Sequence, residues 1–223
     1  MKKVSTDSVG KHTKENSSIE LLKPLAENEN SVFEALKLRK TTREISNKKL
    51  PIQILSNLLW AASGVNRKKG PFNIPGRTSA TASNSHEIDV YVALEEGIYL
   101  YDPIKHILNL ILNEDLRRLA IGQGQESFGA KAPVRLVYVA DIYKLSHTAG
   151  YHEPGLQDPE IQKSYYFVDT GLIAGNVYLY AASVGLAAWF HNCNRSALKT
   201  KLKLPSDQRI LFGQTVGFPK KNK

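Results

Sequence analysis

The sequence predicts a single domain of the α+β class. Three observations carry that expectation. Ile88–Leu94 alternates with Val90, Val92 and Leu94 on one face, turns at Glu95-Glu96-Gly97 and returns over Ile98–Tyr101, which reads as an antiparallel hairpin. Val134–Ala140 is an apolar run between Pro133 and Asp141 and suits a strand buried on both faces near the centre of a sheet. Asp158–Val184 is the longest helical pattern, with Asp158 as cap and Pro159 at the first helical position. At 223 residues, 42% of them apolar, the chain is long enough for one substantial core.

The remaining elements follow in order. Residues 1–30 are polar and charged, hold no apolar signal segment, and read as a flexible N-terminal arm before a domain spanning 31–223. Ser31–Lys40 has helical period. Ser31 is placed as its N-cap, Glu34 three residues on completes a capping box, and Val32, Ala35, Leu36 and Leu38 form the apolar side. A second helix runs from Pro51, suited to a first turn, through Ile54, Leu55, Leu58, Leu59 and Ala62 to Gly64 as a left-handed stop. Asn66–Ser85 is rich in Gly, Pro, Ser, Thr and Asn without periodicity, as binding loops are. A helix is expected over Asp115–Ile121. After the long helix, which ends at Gly185, come a strand Leu186–His191, a helix Ser196–Leu202 and a strand Arg209–Val216. The uncharged stretch Leu172–Phe190 invites comparison with a membrane span, but Gly175, Asn176, Ser183 and Gly185 interrupt it. A strand pattern from Leu186 would also leave backbone groups unsatisfied in lipid. It reads instead as a buried central helix, in a core or an oligomer interface.

The formal charge of +9 resembles that of a nucleic-acid binder. Its distribution argues against one. Five lysines against Asp7, Glu15 and Glu20 within residues 1–23, with Lys220, Lys221 and Lys223, place five of the nine charges at the two ends. A solvated basic surface, with local pockets that attract anionic cofactors, is the better account. The single Cys193 forms no internal disulfide, and no Cys/His set has zinc spacing. Cys193 reads as a small packed residue rather than a nucleophile. His12, His106, His147 and His152 lie in polar contexts and read as solvated.

Three segments carry chemistry. Arg39-Lys40-Thr41-Thr42-Arg43 combines guanidinium forks, an ammonium and hydroxyls, groups that suit a phosphate, although a helix C-terminus attracts cations anyway. Ser79–His86 offers hydroxyls and amides that could read a planar polar ring edge, or forms a plain turn before a strand. Gly175-Asn176 and Gly185-Leu186-Ala187-Ala188-Trp189 remove bulk, either for a flat aromatic ligand or for packing of the long helix. Tyr151, His152, Tyr165, Tyr166 and Phe167 either shape the mouth of such a site or pack in a core.

The order of these pieces, closed by Gly217-Phe218-Pro219-Lys220, resembles the FMN-dependent nitroreductases, and within them the branch that includes azoline-forming oxidases. The similarity covers about Ser31 to Lys220. An Arg-Arg-Ser-x-Arg type motif is matched by Arg39, Lys40, Thr41 and Arg43, and a Pro-Ser-x-x-Asn-x-Gln motif by Ala80, Thr81, Asn84 and His86. A Gln-Asn dipeptide aligns with Gly175-Asn176, and a closing Gly-Tyr-Pro with Gly217-Phe218-Pro219.

The resemblance implies a mostly antiparallel mixed sheet flanked by helices, in an entwined homodimer whose long helices pack across a two-fold axis. It implies FMN as cofactor, with NADH or NADPH as hydride donor and a small organic oxidant such as a nitroaromatic or quinone, in ping-pong fashion. Arg39, Lys40 and Thr41, with Lys220 or Lys221, are implied at the phosphate and ribityl end, and Arg43 at the pyrimidine edge. Thr81, Ala82 and Asn84 are implied to meet the flavin from the partner subunit, and Ala187 and Ala188 to lie against the ring. No side chain is implied as acid or base, since flavin N5 takes the hydride, and no metal, nucleic acid or membrane span is implied. His86 and Gly175, in place of two Gln residues, shift the loop's hydrogen bonding and with it substrate choice. Two alternatives remain, a flavin-sequestering module without turnover and an azoline-type dehydrogenase using oxygen. The expected address is the cytoplasm.

Overall fold

A computed structural model of the chain describes residues 18–25, 31–125, 132–149 and 157–220. His12, Tyr151, His152, Lys221 and most of the arm lie outside those residues. Seven strands build one sheet: β1 (Ser18–Glu20), β4 (Ile88–Ala93), β5 (Ile98–Asp102), β6 (Ile107–Leu112), β7 (Val134–Asp141), β8 (Ala187–His191) and β9 (Gln208–Gly217). Their order is β1-β6-β5-β4-β7-β9-β8, and each neighbouring pair runs antiparallel. Among the described residues a parallel contact is made by an isolated bridge from Thr41 to Ala188 of β8. A small hairpin of β2 (Val65–Arg67) and β3 (Gly76–Arg77) stands apart.

Alternation along β7 sorts the core into two layers. Leu136, Tyr138 and Ala140 face α2 (Ile52–Ser63) and α4 (Pro159–Ser183), packing with Leu58, Leu59, Ile173 and Val177. Val137 and Val139 face the opposite layer, with Leu116, Leu198 and Leu202, the last two from α5 (Arg195–Leu202). Both faces of β7 are therefore covered, which is why its sequence reads as near-continuous apolar residues. Burying side chains such as Leu58 and Leu59 completely stabilises the fold by about 1.5–3 kcal/mol each.

The helix caps follow the sequence closely. Asp158 caps α4 by accepting from the Glu160 N–H, with Pro159 at its first position. Ser31 Oγ accepts from the Glu34 N–H to open α1 (Val32–Leu38), while the Glu34 carboxylate turns to Lys37 instead of closing a box. α1 ends at Leu38, two residues short of the expected span.

Other expectations are corrected. Gly64 caps α2 at φ −74°, not in the left-handed region; glycine is needed because a Cβ there would fall 2.3 Å from Trp60 Cδ1. Segment 66–85 holds only β3, part of β2 and two short turns. No helix forms over 115–121. Asp115 binds the Arg117 amide and guanidinium, Ala120 N–H reaches Leu116 O, and the chain then leaves helical geometry at Gly122. The strand β6 and the short helix α3 (Ile142–Ser146) arise where no element was expected. Within the stretch read as an arm, Ser18–Glu20 pairs with β6, and Asn57 binds both the amide and the carbonyl of Leu25. His106 is not solvated: it is half-buried, bonded to the Ser56 hydroxyl, Tyr101 OH and Leu22 O, and burial lowers its pKa. Cys193 is buried, and that burial pushes its thiol up to about 11. Among the described residues no helix is long and apolar enough to cross a membrane.

Candidate functional site

The sequence turns extended directly after α1. Arg39 leaves the helix with ψ 117°, and the β-branched Thr41 and Thr42 favour strand geometry. The segment 41–46 starts beside Ala188 of β8 and runs on to the residues that follow β9. Thr42 N–H donates to Ala188 O at 3.0 Å, and on its other side Ser46 N–H donates to Phe218 O and Lys220 N–H to Glu44 O, both at 2.8 Å. An Ile45–Pro219 bridge completes the weave. Three segments distant in sequence thus meet at one sheet edge.

Beside them opens a cleft of about 470 Å³, lined by Lys40, Thr42, Glu44, Tyr178, Ala181, Ala182, Gly185, Ala187, Ala188 and Lys220 among others. Of the ten expected binding residues, Lys40, Ala187, Ala188 and Lys220 line it. Arg39, Thr41 and Arg43 are not among its lining residues, yet they stand on the same strand. Successive side chains of an extended segment point to opposite sides, so Arg39, Thr41 and Arg43 form one row and Lys40, Thr42 and Glu44 another. The Arg39 guanidinium carbon lies 5.6 Å from the Tyr178 ring centre, and that of Arg43 5.4 Å from that of Trp189. Thr41 Oγ1 is 3.1 Å from Tyr178 OH, which also accepts the Phe190 N–H at 2.8 Å. Among the described residues, Arg39, Lys40, Arg43 and Lys220 are all exposed and none takes part in an ion pair.

Thr81, Ala82 and Asn84 do not line this cleft. Ala82 N–H donates to Asp169 Oδ2 on α4 at 2.8 Å, and Thr81 Oγ1 meets the His86 backbone and ring at 3.3 Å. The Asn84 amide points at Ile74 O, 3.4 Å away. Asp169 precedes Tyr178 by nine helical residues, or about 13 Å of rise. The loop carries Ser83, Asn84 and His86 at φ 50°, 56° and 51°, a sparsely populated region for side-chain-bearing residues. Burial, helped by the nearby Arg77, lowers His86 to about 4, so its ring is neutral. Asn176 donates to Thr78 O at 3.2 Å, while a Cβ added at Gly175 would meet nothing within 4 Å. Of the expected mouth residues, Tyr166 is buried in the core, Tyr165 packs against it, and Phe167 is exposed with its ring 5.9 Å from Phe212.

Sequence reasoning overlooked Tyr178, the hydroxyl that ties α4 to β8, and the buried carboxyl pair Glu87 and Asp169. A signal existed for the second. Asp169 is the lone carboxylate on the otherwise uncharged inner face of a long helix, where a buried charge demands a partner.

Fold and site together define an α+β protein with unpaired cations gathered at one edge of an antiparallel sheet. The chain matches the nitroreductase family over residues 36–218 and belongs to that family, a family of oxidoreductases. A Methanocaldococcus jannaschii protein assigned as a nitroreductase is 30% identical over 188 residues, 77% of this chain and 88% of the relative. A solved structure from Ralstonia eutropha JMP134, likewise assigned as a nitroreductase, is 34% identical with a TM-score of 0.78, covering 93% of this chain and 91% of that one. A chain of the E. coli microcin synthetase complex, at 18% identity and a TM-score of 0.67 over 82% of this chain and 70% of that one, shares the fold.

Proposed function

We propose that the chain is an FMN-dependent oxidoreductase that carries electrons from NADH or NADPH to a small organic oxidant such as a nitroaromatic or quinone, and that it works as a homodimer. The observation that carries this reading is the cleft in which the unpaired cations Lys40 and Lys220 stand around the small residues Ala187, Ala188 and Gly185, with Arg39 and Arg43 on the strand beside it. Such a set fits an anion attached to a flat ring. The fit is chemical: guanidinium and ammonium groups bind phosphate, and alanine and glycine leave room for an aromatic plane against the backbone.

In this reading Arg39, Lys40 and Lys220 hold the phosphate, with the Thr41 hydroxyl at the ribityl end. Arg43, kept over Trp189, stabilises negative charge that develops at the pyrimidine edge. Ala187 and Ala188 flank the ring. A bound FMN would supply the hydride-transfer chemistry between nicotinamide and oxidant, and the protein would supply position and charge. Donor and oxidant use one opening in turn, which gives ping-pong kinetics.

The homodimer is supported by what α4 and α1 leave uncovered. Phe167, Val168, Gly171 and Leu172 form an exposed stripe on α4, a Cβ at Gly171 or Gly175 would meet nothing, and Val32, Phe33 and Leu36 of α1 are exposed. A contiguous apolar surface of that kind marks an interface. A two-fold mate would bring Thr81, Ala82 and Asn84 of the partner to a site their own chain does not let them reach.

The test is an absorbance spectrum of the protein after FMN addition and desalting, followed by anaerobic NADH and NADPH. Retained flavin bands that bleach are expected. Bands that never bleach with either donor would point to a nicotinamide-independent oxidase or a sequestering module, and loss of flavin on desalting would overturn the proposal.

A further inference from the structure

We propose that Glu87 and Asp169 share one proton, and that this proton pins loop 81–86 to α4 in the shape with which it serves the cofactor site. The last clause rests on the flavin reading above; the shared proton does not.

Glu87 lies between the loop and β4 and has 0% exposure, while Asp169 on α4 has 3%. The two carboxyls close on the same short loop, Asp169 at the Ala82 amide and Glu87 at the Ser85 hydroxyl, and each shifts the other's titration as a hydrogen-bonding neighbour. Ionised carboxylates only accept, so one of the two must carry a proton. Their neighbours decide which. Asp169 Oδ2 accepts the Ala82 N–H at 2.8 Å, a bond that favours its charged form. Glu87 Oε2 accepts the Ser85 hydroxyl at 2.6 Å, but Oε1 is buried and no donor among the described residues reaches it. The proton therefore sits on Glu87 Oε1 and is donated to Asp169.

The resulting chain runs from the Ser85 hydroxyl to Glu87, from Glu87 to Asp169, and back from Asp169 to the amide of Ala82. Both ends of the left-handed turn at Ser83 and Asn84 are thereby fastened to one helix. That fastening adds to the bonds of Asn84 to Ile74 O, Thr148 to Ser83 O and Thr81 to His86 in holding residues in a sparsely populated conformation.

Among the described residues no cation is paired with either carboxyl. The charged groups on the surrounding elements are Arg77 on β3, Asp89 on β4, Asp141 at the end of β7, Lys144 on α3 and Arg209 on β9. Lys144 Nζ is 2.6 Å from Asp89 and 3.8 Å from Asp141, Arg77 donates to Ser63 O at 3.1 Å, and Arg209 donates to Tyr166 OH at 3.3 Å. His86 beside the pair is neutral. Burial, and then the neighbouring Asp169, raise Glu87 to about 8, and burial raises Asp169 as well, so the two titrate as one unit. An unfolded Glu releases its proton near 4.5. The folded chain thus holds a proton that the unfolded chain has lost. The stabilisation is complete at acid pH, declines as pH rises above the ordinary Glu value, and is gone above about 8.

The test uses the full chain without flavin. Difference infrared spectra with carbon-13 glutamate should show a protonated buried carboxyl that disappears as pH passes about 8, and Glu87→Gln should lack it. Amide exchange at Ala82, corrected for base catalysis, should quicken about tenfold or more across the same step in the wild type. In Glu87→Gln, whose amide still donates to Asp169, it should stay flat. A wild type without the carboxyl band, or a Glu87→Gln variant with the same exchange step, overturns the shared proton. Flavin is read separately. If the wild type retains FMN, its Kd should rise across the step, and a constant Kd overturns the link to the cofactor while leaving the proton in place.

Discussion

The Arg43 guanidinium lies 5.4 Å from the Trp189 ring centre, and among the described residues it has no carboxylate ion-pair partner. A cation used for a developing charge lowers a barrier more than it raises affinity. Arg43→Ala is therefore expected to slow flavin reduction by NADH roughly tenfold or more while FMN affinity changes only a few-fold. Stopped-flow reduction at saturating donor decides this, and an unchanged rate would remove Arg43 from the site. His191 makes a second residue-scale prediction. It is buried on β8, its Nδ1 lies 2.7 Å from Asn192 O and its Nε2 2.7 Å from Thr215 Oγ1. A carbonyl can only accept, so Nδ1 carries the hydrogen and Nε2 takes the Thr215 hydroxyl. Burial lowers His191 to about 4 from 6.5. The unfolded chain binds a proton first as pH falls, so stability should decline from about pH 6.5 to about 4, at up to about 1.4 kcal/mol per pH unit. Urea midpoints at pH 7 and 5 should draw closer together in His191→Gln than in the wild type.

At the scale of elements, Gly64 shows how a residue type can be read correctly for the wrong reason. Its backbone is open to any residue, but a methyl group would collide with Trp60 Cδ1 and Cα. Gly64→Ala should cost about 1–3 kcal/mol through overpacking and lower Tm by a few degrees, read by calorimetry. Elements whose signals are local were legible. The hairpin at Ile88–Asp102, the buried strand at Val134 and the caps of α4 each follow from a few adjacent residues. Elements that depend on tertiary partners were not. β6 exists because β5 and β1 flank it, and the turn before it is made by His106 at φ 56° rather than by a glycine. The expected helix at 115–121 failed because one turn with a cap does not repay nucleation when a glycine follows. The site divides in the same way. The cations at 39–43 were visible because they cluster in sequence, whereas Tyr178 and Asp169 become functional only through what α4 packs against.

For the whole molecule, the exposed stripe of α4 is the feature with the largest consequence for assembly. Placing a charge in its centre should oppose burial against a mate. Val168→Asp is expected to move sedimentation from dimer to monomer and to release FMN at the same protein concentration. A variant that stays dimeric and yellow would assign the stripe another role. The sheet also has two ends, and each is closed differently. Among the described residues β1 spans Ser18–Glu20 and ends in the charged Glu20, while at β8 Thr41 and Thr42 pair with Ala188 and residues 44–46 are clasped by Phe218, Pro219 and Lys220. An uncovered strand edge is a template for strands of neighbouring molecules. The tail that presents Lys220 to the cleft thus also occupies backbone groups of residues 44–46 that would otherwise be open to a neighbouring strand. A chain cut before Phe218 should form thioflavin-positive aggregates under conditions where the full chain stays clear.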